Sequence, residues 1–190
     1  DIFLSPKIPG GYGWLFPRDG FANIGLGVEP SMRHCLKPVL ESLHQRLIGE
    51  GRVETEVLGF TGGAIPVGGM LQLLNSIGPV PVLLAGDAAG LTNPVTGAGI
   101  LSAAISGALA GEAAAFWAGG DPSSLVEYSE EVTQLFKPSL DHALMRRTQL
   151  NEIHKNFTKP TEEDLRRGWI AYPEFWARDN ISMGEVMAAE

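Results

Sequence analysis

The stretch from Val80 to Gly111 constrains this chain more than any other. Val80-Pro81-Val82-Leu83-Leu84-Ala85 is a short apolar run bounded by Pro79 and Gly86, the pattern of a buried strand. Gly86-Asp87-Ala88-Ala89-Gly90 follows, then a loop rich in Pro, Gly and Thr over 91–99. Small residues dominate from about Ala98 to Ala118, which reads as a helix able to lie close on a sheet. A strand, a Gly-Asp turn and a helix in that order put a carboxylate where it can accept hydrogen bonds from ligand hydroxyls. They also aim the free N–H groups and partial positive charge of a helix N-terminus into the same loop. Gly97 and Gly99 carry no side chains, so a planar ring or a phosphate can touch the backbone there. Taken alone, Gly86-Asp87 is explained as well or better as a turn or helix cap.

Upstream, residues 11–17 alternate large and small and read as a strand ended by Pro17. Arg18-Asp19-Gly20 is a hairpin turn and 21–28 the return strand. Alternation puts Tyr12, Trp14 and Phe16 on one face. Pro30-Ser31 open a helix to about Ile48, with Leu36, Val39, Leu40, Leu43 and Leu47 at helical spacing. Residues 53–65 read as a further strand. Asp121-Pro122 cap a helix that is interrupted near Pro138 and resumes to about His154. Thr161 starts a last short helix with Glu162, Glu163 and Asp164 on its N-terminal dipole. Trp169, Tyr172, Phe175 and Trp176 then dock the tail onto the core, a partner surface being the lesser reading.

Composition removes several classes of function. An apolar share of 44% with 19% charged residues excludes disorder. A net charge of −8 argues against nucleic acid, which needs a basic patch. One cysteine and four histidines without tight spacing predict no disulfide framework and no metal site. The uncharged stretch 88–111 is long enough to cross a membrane, but its Gly, Asn, Pro, Ala and Ser content argues against a span. The start of the chain lacks the pattern of a signal peptide. The expectation is a cytoplasmic protein, with peripheral contact to a membrane left open. Arg146-Arg147, with Lys155, Lys159, Arg166 and Arg167, reads as a solvated basic face, a diphosphate headgroup being the lesser reading.

Two motifs resemble one family. Gly86-Asp87-Ala88-Ala89-Gly90, then Pro94, Thr96-Gly97-Ala98-Gly99-Ile100 and Ser106-Gly107, is similar to the second FAD-binding motif of the geranylgeranyl reductases. These flavoproteins are related to p-hydroxybenzoate hydroxylase. Tyr12-Gly13-Trp14-Leu15-Phe16-Pro17, then seven residues, then Gly25-Leu26-Gly27, is similar to the family's substrate-site motif. Gly90, Ala98 and Ser106-Gly107 stand where hydroxylases of the wider group carry His, Gln and Asp-Ala, which favours the reductase branch.

The resemblance implies an α+β fold. An antiparallel substrate-domain sheet would fall within 1–78, a strand–helix piece of the FAD domain within 79–120 and C-terminal helices within 121–190. It implies FAD bound through Gly86, Asp87, Ala88, Gly90, Pro94, Gly97, Ala98 and Gly99. It implies a prenyl-chain substrate against Tyr12, Trp14, Phe16, Pro17, Gly25 and Gly27, and reduction of isoprenoid carbon–carbon double bonds. The substrate would be an ether lipid or the geranylgeranyl tail of (bacterio)chlorophyll. NADPH or an electron-donor protein would supply electrons, and Tyr12 or a water is a candidate proton donor. No Gly-x-Gly-x-x-Gly follows a strand, so the site for the ADP half of FAD is expected to lie outside a C-terminal portion of a longer flavoprotein. A flavoprotein dehydrogenase serving a protein partner, and a non-enzymatic binder of apolar ligands, are the competing classes.

Overall fold

A computed structural model describes residues 1–8, 10–155 and 159–177. Its first sheet has the order β1-β2-β3, with β1 at Ile2–Phe3, β2 at Gly13–Arg18 and β3 at Phe21–Leu26. All pairings are antiparallel, and the register sets Trp14 opposite Gly25 and Phe16 opposite Asn23. The Asp-Gly turn works as the sequence predicts, with Gly20 at φ 78°. β2 runs through Pro17 rather than ending there. β1 pairs only with Trp14 and Gly13, so at Pro17 one edge of β2 has no partner strand and the missing N–H breaks no ladder bond. Leu15, on the face opposite the aromatics, is 2% exposed and packs with Leu43 and Leu47 of helix α1.

That helix spans Leu36–Gly49 and is preceded by a 3₁₀ segment, Pro30–Cys35, where one continuous helix was expected. The expected strand over 53–65 does not form. Val57, Leu58, Phe60 and Ile65 are exposed, and no strand lies beside them among the described residues. An alternating pattern becomes a strand only when a neighbour completes its hydrogen bonds. The expected buried strand at 80–85 is instead the second arm of a hairpin. β4 (Leu74–Ile77) pairs with β5 (Val80–Leu83) around Gly78, at φ 58°, and Ile77 and Val80 are exposed.

A 3₁₀ turn at Gly86–Ala89 and the loop 91–99 lead into α2, Ile100–Ala118. Its small residues do not face a sheet. Ser102, Ala103 and Ser106 pack on the 86–91 loop, Gly107 and Gly111 are exposed, and Leu109, Ala110 and Ala113 face α3, Ser124–Lys155, around a core of Leu73, Ala89, Leu91, Ala113, Tyr128, Val132 and Leu140. The Tyr128 hydroxyl donates to the Leu84 carbonyl at 2.5 Å, pinning the hairpin exit to α3. Ile100, Leu101, Phe116 and Trp117 of α2 stay exposed, and by length and composition alone α2 could cross a bilayer.

α3 passes through Pro138 without interruption. The proline lies on the exposed side, and Val132, Leu140 and Ala143 bury the opposite face over both halves, which offsets the lost backbone bond. α3 begins at Ser124, three residues after the expected cap, and the Asp121 carboxylate accepts from the Ser123 N–H at 3.0 Å and hydroxyl at 2.7 Å just before it. Thr161 caps α4 (Glu162–Arg167) in a capping box with Asp164. α4 is not the last helix, since α5 follows at Pro173–Trp176. The tail docks through Phe175, 1% exposed, with Trp169 and Tyr172 half-buried, while Trp176 stays 57% exposed. Arg146 is also 1% exposed and donates to the Phe175 and Ala177 carbonyls, so it is a tail anchor and not part of a solvated face.

Candidate functional site

The loop after β5 is built by glycines and serines. Gly86 (φ 54°) has no room for a side chain, since a Cβ would come 2.9 Å from that of Ala103. Its N–H donates to the Ser106 hydroxyl at 2.9 Å, and that hydroxyl donates to the Ser102 carbonyl at 2.6 Å. Ser102 in turn donates to the Leu91 carbonyl at 2.8 Å. The two serines thus fasten the loop onto α2, beyond merely being small. Gly90 (φ 69°) packs so tightly that a Cβ would lie 2.0 Å from the Gly69 carbonyl oxygen. Asn93 shapes the tip, its side-chain oxygen accepting from the N–H groups of Val95 and Thr96 at 2.9 and 3.0 Å.

Asp87 is exposed and its Oδ1 accepts from the buried Thr92 hydroxyl at 2.8 Å. A Cβ on Gly99 would stand 2.8 Å from that same oxygen. Gly99 is the N-cap residue of α2 and offers no side-chain cap, which leaves the first-turn N–H groups facing outward. Gly97 sits at φ 68°, Ala98 is exposed beside it, and Ala88 is exposed on the 3₁₀ turn. Asp87, Gly86, Gly97, Gly99, Ile100 and Ala103 border an open cavity of about 500 Å³. One carboxylate, one bare helix end and a wall without side chains suit a ligand with both hydroxyls and an electron-rich flat face.

The second part is the outer face of β2 and β3. Trp14 and Phe16 stack with ring centroids 6.1 Å apart, and Tyr12 meets Trp14 at 5.8 Å. Gly25 makes this possible. The Trp14 indole lies directly on it, so that a Cβ there would fall 2.2 Å from Cζ2. Asn23 holds the ring in place by accepting from Nε1 at 2.6 Å. Gly27 has open space around it and donates to the Tyr12 carbonyl. Pro17 stands apart from this face. It borders a larger groove of about 980 Å³ with Phe21, Ile24, Leu40 and Val57, on the α1 side.

One bond joins the two parts. The Tyr12 hydroxyl donates to the carbonyl of Thr96, 84 residues away. Burial pushes the Tyr12 phenol above its ordinary value, so it stays neutral and its proton is committed to that carbonyl. A second brace comes from α3. Arg147 donates to the Pro94 carbonyl at 2.9 Å and pairs with Glu29, just beyond β3, at 3.2 Å. Asn151 donates to the same Glu29 oxygen at 3.1 Å. Pro94 is buried under this contact. Arg147 is therefore structural, where the sequence suggested a solvated cation. The described residues contain no group of three His, Cys, Asp or Glu side chains that could hold a metal.

A model of the geranylgeranyl reductase catalytic domain matches residues 1–65. A digeranylgeranylglycerophospholipid reductase of Methanocella arvoryzae is 38% identical over 74% of this chain and 36% of its own length. Its namesake in Methanosarcina mazei is 33% identical over 83% of this chain and 37% of its own length. The chain belongs to the geranylgeranyl reductase family. It spans well under half the length of these curated relatives. A solved geranylgeranyl bacteriochlorophyll reductase-like protein from Thermoplasma acidophilum shares the fold, with a TM-score of 0.67 over 88% of this chain and 46% of that one, at 22% identity.

For a geranylgeranyl reductase family chain, three site residues escape sequence reading. Asn23 left a faint signal, a polar residue of low strand propensity two positions before Gly25. Arg147 left none, because its partners lie 53 and 118 residues away. Trp169 was readable as tail packing or a partner surface, not as a neighbour of Tyr12. Its ring sits 4.6 Å from that of Tyr12, edge to face.

Proposed function

We propose that these residues form part of a flavin-dependent reductase of isoprenoid carbon–carbon double bonds. The observation that carries the reading is the Tyr12–Thr96 bond, which sets an aromatic strand face against a side-chain-free loop with a carboxylate. The names of the curated relatives support a prenyl lipid as the substrate class. Asp87 would hold hydroxyls of FAD, and the backbone of Gly97, Ala98 and Gly99 with the α2 N-terminus would face its ring system. The cradle fits such a group, because Cβ atoms on Gly86 or Gly99 would close it. When bound, the flavin supplies the hydride chemistry.

The chain's own residues do the rest. Tyr12, Trp14 and Phe16 give an apolar chain a rigid surface that excludes water. The α2 N-terminus favours negative charge near Gly99. Tyr12 orients the loop through its hydroxyl, which speaks against it as proton donor. The exposed apolar side of α2 is where further protein in the longer relatives would pack.

A chimera tests the reading. The matching portion of the Methanocella arvoryzae reductase is replaced by this chain, and saturation of a geranylgeranyl substrate is followed by mass spectrometry. Retained turnover is expected. Loss of most of it in Trp14→Ala with Phe16→Ala, and loss of flavin retention in Asp87→Ala, are also expected. A chimera that keeps flavin but saturates no prenyl bond refutes the substrate class. Full turnover in the aromatic double variant refutes the channel.

A further inference from the structure

We infer that Trp169 is the end wall of the aromatic row and sets how far a prenyl chain can advance along it. This rests on the reading that the β2 face holds a prenyl chain. Phe16, Trp14, Tyr12 and Trp169 form a continuous line, with successive ring centroids 6.1, 5.8 and 4.6 Å apart. Phe16 is 46% exposed, whereas Trp14, Tyr12 and Trp169 are half-buried. Phe16 is therefore the most open ring of the row, and Tyr12 lies at the end that contacts Thr96 and Trp169.

Two features close that end. The Tyr12 hydroxyl is tied to the Thr96 carbonyl, and the indole of Trp169 meets the Tyr12 ring edge to face instead of stacking flat with it. A chain advancing over the stacked faces of Phe16 and Trp14 meets the Tyr12 ring, tilted 54° to Trp14 and backed by Trp169, and stops beside the Thr96-Gly97 loop. Trp169 can act as a stop because it is rigidly held. It follows directly on α4, whose last turn packs by Gly168 against Leu150 of α3. Beyond it, Arg166 pairs with Glu174 at 2.7 Å and lies over the Tyr172 ring at 4.3 Å. Phe175, fully buried, is hydrogen-bonded through its carbonyl to Arg146 at 2.9 Å. The structure thus gives the C-terminal segment a role in chain-length selection, where the sequence suggested packing or a partner surface.

The test is a length series. Linear prenyl diphosphates of two to five isoprene units are titrated into the 190-residue chain, with affinity read by calorimetry. In the parent chain affinity rises with length and then levels off once the row is filled. In Trp169→Ala the levelling is expected one isoprene unit later, with the shortest ligands bound within about twofold of the parent. Trp169→Phe keeps a ring and is expected to keep the parent's break point. Trp169→Leu, which preserves apolar packing without a ring, is expected to behave as the alanine variant does, and it decides the matter if Trp169→Ala fails to fold. An unmoved break point in the Ala and Leu variants overturns the inference alone. So does an equal loss at every length. A parent chain that binds no prenyl ligand overturns the functional reading and this inference together.

Discussion

Replacing Gly25 by alanine should displace Trp14 while leaving the fold in place. The new Cβ would stand 2.2, 2.5 and 2.9 Å from Cζ2, Cε2 and Cη2 of the indole, so the ring has to swing away. Swinging gives up the bond to Asn23, about 0.5–1 kcal/mol for a solvent-facing pair. It also gives up the stacking on Phe16, about 0.5–1.5 kcal/mol. Removing a glycine from a strand returns about 0.5–1 kcal/mol. The net loss is therefore small, about 1 kcal/mol, against a large change in ring geometry. Urea unfolding should show the modest shift, and the near-ultraviolet circular dichroism should lose the coupled aromatic signal. Gly27→Ala is the matched control. Nothing lies within 4 Å of its added Cβ, so both readings should stay at parent values within about 0.5 kcal/mol. An unchanged aromatic signal in Gly25→Ala would refute the placement of Trp14. Equal effects at the two glycines would refute it as well.

Other perturbations test the loop and the helical half. Gly90→Ala combines φ 69° with a backbone oxygen 2.0 Å away, so a loss above about 3 kcal/mol and poor soluble yield are expected. Ser106→Ala leaves the buried Gly86 N–H without its acceptor and should lower stability by about 1–3 kcal/mol in chemical denaturation. Arg147→Met should loosen the loop through Pro94, seen as faster amide hydrogen exchange over 91–99 with α2–α3 core amides unchanged. His154 supplies a pH dependence. Burial lowers its pKa, so the unfolded state binds the proton more readily, and stability falls as pH drops below about 6.5. The Tm decline between about pH 7.5 and 5.5 should be shallower in His154→Gln.

Legibility followed the range of the interactions. The β2–β3 hairpin could be read because alternation and an Asp-Gly turn act between near neighbours. The Thr161 cap is local too, and its partner is three residues away. The loop residues Gly86, Asp87, Gly97 and Gly99 stood out for the same reason, and the structure gathers them around one cavity. Residues 53–65 were misread because a strand pattern needs a neighbour to complete its hydrogen bonds, whereas 80–85 does form a strand over Val80–Leu83 and only its expected burial failed, since it pairs with β4 in an exposed hairpin. Pro138 was misread because a helix break is a local penalty, and burial of the opposite face outweighs it.

By itself, the sequence determined the two halves of the candidate site and the face each side chain takes, since strand alternation and glycine backbone freedom are properties of the residues in place. Only the tertiary structure decided that the halves meet. Tyr12 reaches Thr96, Arg147 spans Pro94 and Glu29, and Trp169 closes on Tyr12, and each of these contacts joins segments far apart in the chain. No local pattern encodes such pairs, because they exist only once the core has brought α3 and the tail against the loop and the sheet.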